Sequence, residues 1–408
     1  MFLYIDPGTG SALFTIIIGI AATVVFAFQA LYIKFKHAFS GGKAKHGAKN
    51  KFVIYAEDKR YYSLFKPVLE EFENRQIILL YLTSSKDDPV FFAGYQYIKP
   101  EYLGEKNKPF ARLNFLSADF LLSTTPGLDV YQWKRSKLVK HYCHIFHSPE
   151  IALGYELYGI DYYDSVIVSA SSHDRIFIRK LEEKRNLPKK NIITLGCPYL
   201  DEYAKKIEQI PNINDAFTVL ISPTWGKSSL LSRFGEKLLD PLIETNWKVI
   251  IRPHPQSLKV EKEIIDLLSE KYKNNNNFIW DFESENIYSL NKADVMVSDF
   301  SGIILDYLFL CNKPVFYISN EIDFRPYDAI EIYNKQEDIW IFQQLSKYCI
   351  EINPHLLNEL PSLIKEASVN ADLKEKILKF KNEVWNYQGE AGKNITNFMI
   401  ETTGKEVA

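Results

Sequence analysis

DVMVSDFSGIILDYLFLCNKPVFYIS, residues 294 to 319, reads as a strand, a tight turn, an apolar helix and a second strand. The β-branched run DVMVSD (294 to 299) is too short and too apolar for a surface helix and suits a strand buried on both faces. Ser301-Gly302 supplies the turn, Ile303 to Leu310 the helix, and PVFYIS (314 to 319) the returning strand. A strand, crossover helix and second strand of this length form a parallel unit.

Working outward, the same alternation recurs on the N-terminal side: FTVLIS (217 to 222), a helix over Ser229 to Thr245, WKVIIR (247 to 252), a helix over Leu258 to Lys273, and NFIWDF (277 to 282). Further upstream lies a second series: FVIYA (52 to 56), a helix over Tyr61 to Asn74, IILLYL (77 to 82), ADFLLS (118 to 123), HYCHIF (141 to 146), DSVIVSA (164 to 170), a helix through Phe177 to Lys184, and NIITLG (191 to 196). QIPNINDA (209 to 216) interrupts the pattern with Pro, Asn and Asp and marks the connection between halves. The expected class is α/β, with two doubly wound, Rossmann-like parallel sheets facing a cleft. The first spans 52–210 and the second 217–370, with a helical extension at 371–408.

The chain has 408 residues, 46% hydrophobic and 25% charged, which excludes disordered and collagenous classes. Its net charge of -2 is unevenly spread. Residues 1–51 hold six Lys against one acidic residue, Asp6, which is +5, so the remainder carries -7. Such a body is not a general nucleic-acid binder. Ser11 to Ile33 is uncharged and long enough to cross a bilayer, so 1–33 is expected to be a transmembrane anchor followed by a basic linker, 34–51. Because the Lys residues all follow the span, the body is placed on the cytoplasmic side of the inner membrane, as a single-pass protein. Cys143, Cys197, Cys311 and Cys349 form no CxxC pair and read as reduced core residues.

The unusual polar residues of the second half fall at the ends of its strands. In IRPHPQS (251 to 257), Arg252 offers a fork for phosphate oxygens and His254 a titratable hydrogen bond, presented on backbone that the prolines stiffen. The bland reading is a solvated surface turn. In SDFSGIILDY (298 to 307), the amides after Ser301 and Gly302 start a helix, a ready site for an anion. Ordinary capping by Asp299 or Ser301 would also account for the pattern. SPTWGKSSL (222 to 230) repeats the design without the two-glycine spacing of a Walker loop. There Lys227 and Ser228 are candidate phosphate contacts, and Trp225 is a candidate platform for a base or a filler of the cleft wall. His141, His144 and His147 sit three apart, but on a strand His144 faces away from the other two, so no metal site is expected. His147 stands where strand becomes turn, the place for a general base.

Taken in order, these residues resemble the CDP-glycerol glycerophosphotransferase family, the teichoic-acid primase and polymerase group of GT-B-type transferases. The resemblance rests on Arg252-Pro-His254-Pro and Ser298-Asp299-Phe-Ser301. Ile160-Asp161-Tyr162-Tyr163-Asp164, Gly196-Cys-Pro198-Tyr-Leu-Asp201, Ser222-Pro223-Thr224-Trp225 and Lys313-Pro314-Val-Phe-Tyr add to it. It implies a GT-B-like, metal-independent and cofactor-free enzyme that moves glycerol phosphate, or another polyol phosphate, from a CDP-linked donor to a hydroxyl of a lipid-linked or cell-surface glycan. His147 would deprotonate the acceptor. Arg252 and His254 would bind the diphosphate, with His254 protonating the leaving CMP. Asp299, Ser301 and Gly302 would hold phosphate and glycerol, with Thr224 and Trp225 near the nucleotide. The chain departs from the family pattern at Ser148-Pro149, at Tyr199 and at Gly226-Lys227.

Two other functions fit the sequence. One is a GT-B sugar transferase, which wants a carboxylate such as Glu150 or Glu156 near the anomeric carbon. The other is a non-catalytic, membrane-tethered binding module of envelope polysaccharide assembly.

Overall fold

The computed structural model describes residues 50–404, except 150, 170–171, 212–215, 284, 320 and 369. The expected membrane span, the linker up to residue 49, much of the interdomain connection and Glu150 therefore lie outside the described residues. Among the described residues no helix is long and apolar enough to cross a membrane.

Two parallel sheets organise the body. The first contains β1 (Asn50–Ala56), β2 (Leu79–Thr83), β3 (Ile98–Tyr102), β4 (Ala118–Ser123), β5 (Val139–Ile145), β6 (Ser165–Val168) and β7 (Asn191–Thr194), in the order β3-β2-β1-β4-β5-β6-β7. The second contains β8 (Thr218–Ile221), β9 (Lys248–Ile251), β10 (Phe278–Trp280), β11 (Val295–Ser298), β12 (Val315–Tyr317) and β13 (Ile350–Glu351), in the order β10-β9-β8-β11-β12-β13. Each sheet grows from its first strand in one direction and then reverses. This leaves a topological switch point between β1 and β4, and another between β8 and β11. Ligands of open α/β sheets sit outside the carboxyl ends of the strands at such points.

The central strands are almost wholly apolar because both faces are covered. Val53, Ile54, Phe120, Leu121 and Leu122 of the first sheet, and Val219, Leu220 and Ile221 of the second, are all fully buried. Each such side chain contributes about 1.5–3 kcal/mol by leaving water. Cys143 and Cys197 are buried, and all four cysteines are free thiols.

Several expected elements differ. The helix expected over 229–245 is two helices, Leu230–Phe234 and Glu236–Ile243, broken at Gly235 in a positive-φ conformation (42°). The helix expected over 258–273 likewise divides at Glu261. Strand β3 (IKPEY) escapes an apolar-run search because it is a polar edge strand, as edge strands commonly are.

The C-terminal helices Ala371–Val384 and Ala391–Gly404 return to the first half. Phe398 packs on Phe120 and His141, while the Asp201 carboxylate accepts from the Trp385 indole and from the amides of Gly389 and Ala391. Arg185 pairs with Asp161 (2.6 Å), Asp328 (2.6 Å) and Glu331 (2.9 Å), tying the chain beyond β12 to the first sheet's side.

Candidate active site

A cleft of about 570 Å³ lies over both switch points. The first sheet's side contributes Lys59, Arg60, Tyr62, His147 and Ser148; the second contributes Pro223, Arg252, His254 and Ser301 to Ile303. A smaller adjoining hollow of about 340 Å³ is lined by Thr224, Trp225, Phe300, Ser301, Gly302 and Tyr327, and shares His147 and His254. The walls come close at Gly302, where a Cβ would lie 3.6 Å from the Ser148 Oγ.

His147 follows β5 and is enclosed by aromatic residues, with the Tyr61 and Tyr155 rings 5.1 and 5.7 Å away. Its Nδ1 is 3.2 Å from the Tyr155 hydroxyl and 3.3 Å from the Thr124 Oγ1. The Tyr155 hydroxyl has a single proton, and the Thr124 carbonyl, 3.1 Å away, can only accept it. Tyr155 oxygen then accepts from the neighbouring ring nitrogens, His147 Nδ1–H and His144 Nε2–H (3.1 Å). The arrangement in which the Thr124 carbonyl takes the phenol proton puts the His147 proton on Nδ1 and a lone pair on Nε2. Burial, assisted by the Arg60 charge, holds the ring down to about 4, so it is neutral at ordinary pH.

His254 has the opposite arrangement. Its Nδ1 accepts the Gln256 backbone N–H at 3.2 Å, so the neutral ring carries its proton on Nε2. The ring stacks on Trp225 at 6.2 Å between centroids and 29° between planes. Burial and the Arg60 charge lower its pKa, against a smaller rise from Glu261.

Arg252 leaves the end of β9 and is fixed on its far side, donating to Asp281 Oδ2 (2.6 Å) and to the Glu283 carbonyl (2.8 Å). Asp281 is itself held by the Ser289 hydroxyl and the Glu283 amide, and these bonds keep it ionised and below the usual carboxylate range against the pull of burial.

The helix Ile303–Cys311 begins at Gly302 with no side-chain cap, and its first residues line the cleft. Asp299 does not reach that space. It is 1% exposed and accepts from the amides of Thr224 (2.9 Å), Phe300 (2.8 Å), Leu230 and Ser301. Burial pushes it up to about 7 even so. These bonds lock the turns after β8 and β11 together.

Lys227 and Ser228, expected beside the donor phosphates, are not brought together with the histidines. They line a separate hollow of about 800 Å³ with Arg233 and Lys335. Gly226 diverts the chain there with φ 83°, and its amide donates to Glu261 at 3.0 Å. The triplet of histidines is also dispersed: His141 bonds Ser165 (2.8 Å), His144 is sealed in the core, and only His147 reaches the cleft. Among the described residues no group of three His, Cys, Asp or Glu could hold a metal ion.

Over residues 153–398, more than half of the chain, the sequence matches the family described as CDP-Glycerol:Poly(glycerophosphate) glycerophosphotransferase. The chain belongs to this glycerophosphotransferase family. Arg252, His254, Asp299 and Ser301 fall inside the matched region and His147 outside it.

The teichoic acid glycerol-phosphate primase of Bacillus subtilis (strain 168) is 23% identical over 243 residues, covering 58% of this chain and 57% of the primase. The minor teichoic acid biosynthesis protein GgaB of the same organism is 25% identical over 162 residues, 33% of this chain and 16% of GgaB. The chain thus spans little more than half the length of the first relative and a small part of the second. In three dimensions it is similar to the wall teichoic acid polymerase TagF, with TM-score 0.60 at 14% identity, covering 96% of this chain and 99% of that one. A UDP-GlcNAc 2-epimerase from Neisseria meningitidis has TM-score 0.54 at 14% identity, over 86% of this chain and 100% of the epimerase. These likenesses establish the GT-B-like arrangement of two parallel-sheet α/β domains.

Within this family member, residues that sequence reading passed over support those it chose. Glu261, 5% exposed, accepts from Gly226, Ser229, Ser232 (2.5 Å) and Ser257 (2.5 Å), joining the Trp225 turn to the His254 turn. Asp306 and Tyr199 are hydrogen-bonded on the cleft floor, where burial holds Asp306 up to about 7. Tyr199, one of the positions at which the chain departs from the family pattern, gives its phenol proton to Asp306. Glu156, the described carboxylate considered for sugar transfer, bridges to Tyr327 and is not among the residues lining the cleft.

Proposed function

We propose that this protein transfers glycerol phosphate, or another polyol phosphate, from a CDP-linked donor to a hydroxyl of a lipid-linked or surface glycan. The observation that carries the reading is the pair of histidines on opposing walls of one cleft, His147 with its Nδ1 against the Tyr155 hydroxyl and His254 with its Nδ1 accepting the Gln256 amide. The acceptor hydroxyl gives its proton to His147 Nε2 as its oxygen bonds to the phosphorus that carries the polyol. The bond from that phosphorus to the bridging oxygen breaks, and CMP leaves with the electron pair, met by His254 Nε2–H. Arg252 and the uncapped start of the helix Ile303–Cys311 neutralise the phosphate oxygens. Such a transfer needs in-line positioning and charge stabilisation more than covalent help, so these groups suffice without a metal or a cofactor.

Trp225, beside His254, supplies a flat face for the base, and Thr224 lies next to it in the adjoining hollow. Residues 1–33 anchor the chain in the inner membrane, with the body on the cytoplasmic side beside a lipid-carried acceptor. The uncharged stretch from Ser11 to Ile33 and the Lys residues that follow it support this placement.

The test is transfer of labelled polyol phosphate from CDP-glycerol or CDP-ribitol by the full chain in detergent, with UDP-sugars as competitors. Transfer of label from a CDP-polyol that survives excess UDP-sugar supports the reading; no label transferred from either CDP-polyol, with sugar moved from labelled UDP-sugars in a parallel reaction, overturns it.

A further inference from the structure

The carboxyl ends of the first sheet's strands hold the cleft; their amino ends form the opposite edge, which is both apolar and basic. Ile78 directly precedes β2, Phe115 stands three residues before β4 and Leu138 directly precedes β5; they are 64%, 69% and 59% exposed. Strands β2, β1, β4 and β5 are successive neighbours at about 4.8 Å, so the three residues lie along about 14 Å of one edge. Hydrogen bonds join the loops that carry them. The Asn50 side chain donates to the Ser117 carbonyl (3.3 Å), and the Asn114 side chain accepts from the Lys134 amide (2.8 Å) and donates to the Gln132 carbonyl (3.2 Å). The Ala118 amide donates to the Leu138 carbonyl (3.2 Å). A single exposed apolar residue is ordinary on a protein surface, but three at successive strand starts form a patch that calls for a partner.

The charges around the patch say which partner. Lys51, Lys134 and Lys137 are exposed on the same strand starts and loops. The neighbouring carboxylates are engaged elsewhere: Asp119 pairs with Lys140 (3.4 Å), Asp164 with Arg135 (2.9 Å), and Glu73 accepts the amides of Gln96 and Tyr97. The chain also enters the body at this edge, through Asn50 at the start of β1. Residues 34–49, which separate that point in sequence from the uncharged stretch ending at Ile33, hold five further Lys. Sixteen residues reach at most about 55 Å, so a span ending at Ile33 keeps the body next to the bilayer. Apolar side chains set among lysines match the surface of an anionic leaflet, whose acyl boundary takes the former and whose headgroup phosphates attract the latter.

We propose that this edge rests on the bilayer, with Ile78, Phe115 and Leu138 entering the headgroup region of an anionic leaflet and Lys51, Lys134 and Lys137 meeting its phosphates. The proposal rests on the membrane placement of residues 1–33 and goes beyond it, because the body then has a lipid-facing side as well as a tether. The seven residues of β1 run about 23 Å, so the cleft at the other ends of the strands opens away from the lipid, and the glycan must carry the reacting hydroxyl to that height.

The test is hydrogen exchange in the full chain in three media: detergent, phosphatidylcholine vesicles, and vesicles of equal parts phosphatidylglycerol and phosphatidylcholine. Amides over 76–78, 114–117 and 134–138 are expected to exchange at least about five-fold more slowly in the mixed vesicles than in detergent, while those over 90–93, on the loop after β2, keep their rate. A variant with Lys51→Gln, Lys134→Gln and Lys137→Gln loses the slowing and keeps its melting temperature in detergent, as does one with Phe115→Ser and Leu138→Ser.

Equal rates in all three media overturn the lipid face, and so does slowing that persists in either variant. Slowing already present in detergent that grows with protein concentration assigns the edge to a second copy of the chain and overturns it too. Vesicle flotation separates the face from the anchor. A chain that floats with phosphatidylcholine alone yet shows no slowing in either kind of vesicle keeps the anchor and loses the face. Flotation that depends wholly on phosphatidylglycerol, with the slowing present, removes the anchor and sustains the face, and a chain that floats with neither overturns both.

Discussion

His147 and His254 face one cleft from two sheets, and their surroundings treat the same side chain in opposite ways. His147 is packed among Tyr61, Tyr155 and Thr124, with Nδ1–H spent on a phenol oxygen and Nε2 left with a lone pair. His254 sits on an exposed turn against Trp225, with Nδ1 occupied by a backbone amide and Nε2–H left to donate. On the proposed reading one wall accepts a proton and the other offers one, and burial and the Arg60 charge lower the pKa of both rings. The difference comes from the second partner of each ring, not from the histidines themselves.

Removing either ring breaks the comparison most severely. His147→Ala and His254→Ala are each expected to lower transfer by about 10²–10⁴-fold, the usual worth of a positioned acid or base. They should separate on donor binding: the CDP-glycerol thermal shift survives loss of His147 and shrinks on loss of His254. Wild-type rates in both variants would remove the histidines from the chemistry.

Asp281→Asn acts one step back on the second wall. It weakens a charge-assisted bond worth about 1.5–3 kcal/mol, so Arg252 loses its anchor and kcat/KM should fall by about 10–100-fold. Circular dichroism and melting temperature are expected to change little, and a collapse of the fold would assign Asp281 to stability instead.

The first wall can be sharpened by pH. His147 is held near 4 in the folded chain, whereas an unfolded histidine titrates at about 6.5. Between those values the unfolded chain takes up a proton that the folded one refuses, so stability falls as pH drops through the window and levels off below it. Each pH unit in the window costs up to about 1.4 kcal/mol. The wild type should therefore lose melting temperature more steeply than His147→Gln from pH 6.5 to 4; parallel slopes would show that His147 titrates normally.

The smallest effect is expected at Lys227. Because Lys227 lines the neighbouring hollow, Lys227→Ala should change kcat/KM by less than about three-fold, the range of a screened surface charge. A loss of 100-fold would place the donor phosphates there and redraw the second wall.

What could be read from the sequence follows from the kind of information each feature needs. The strands FVIYA, FTVLIS and DVMVSD declare themselves because a strand buried on both faces must be apolar throughout. Arg252, His254 and the Ser301 turn are visible because strand ends of α/β sheets carry ligands, and they do line the cleft. The same rule points at Lys59 and Arg60, which follow the first strand and line the cleft, but two exposed cations before a helix look like ordinary solvated residues in the sequence. Glu261 and Asp281 leave little local signal: beside near partners, each ties the site together through residues 29 or more positions away in the chain. Asp299 misleads in the other direction, since a carboxylate in a turn suggests a ligand and here spends its oxygens on backbone amides. Glycine placed Lys227 out of reach, because the positive φ at Gly226 turns the chain away from the cleft.

The central claim is that the cleft sets its two histidines in opposite tautomers. Long-range ¹H–¹⁵N correlation spectra of the histidine-labelled full chain at pH 7, assigned with His147→Asn and His254→Asn, measure this directly. The account predicts a neutral His147 protonated on Nδ1 and a neutral His254 protonated on Nε2. The same tautomer at both positions, or an imidazolium at His147, would contradict it.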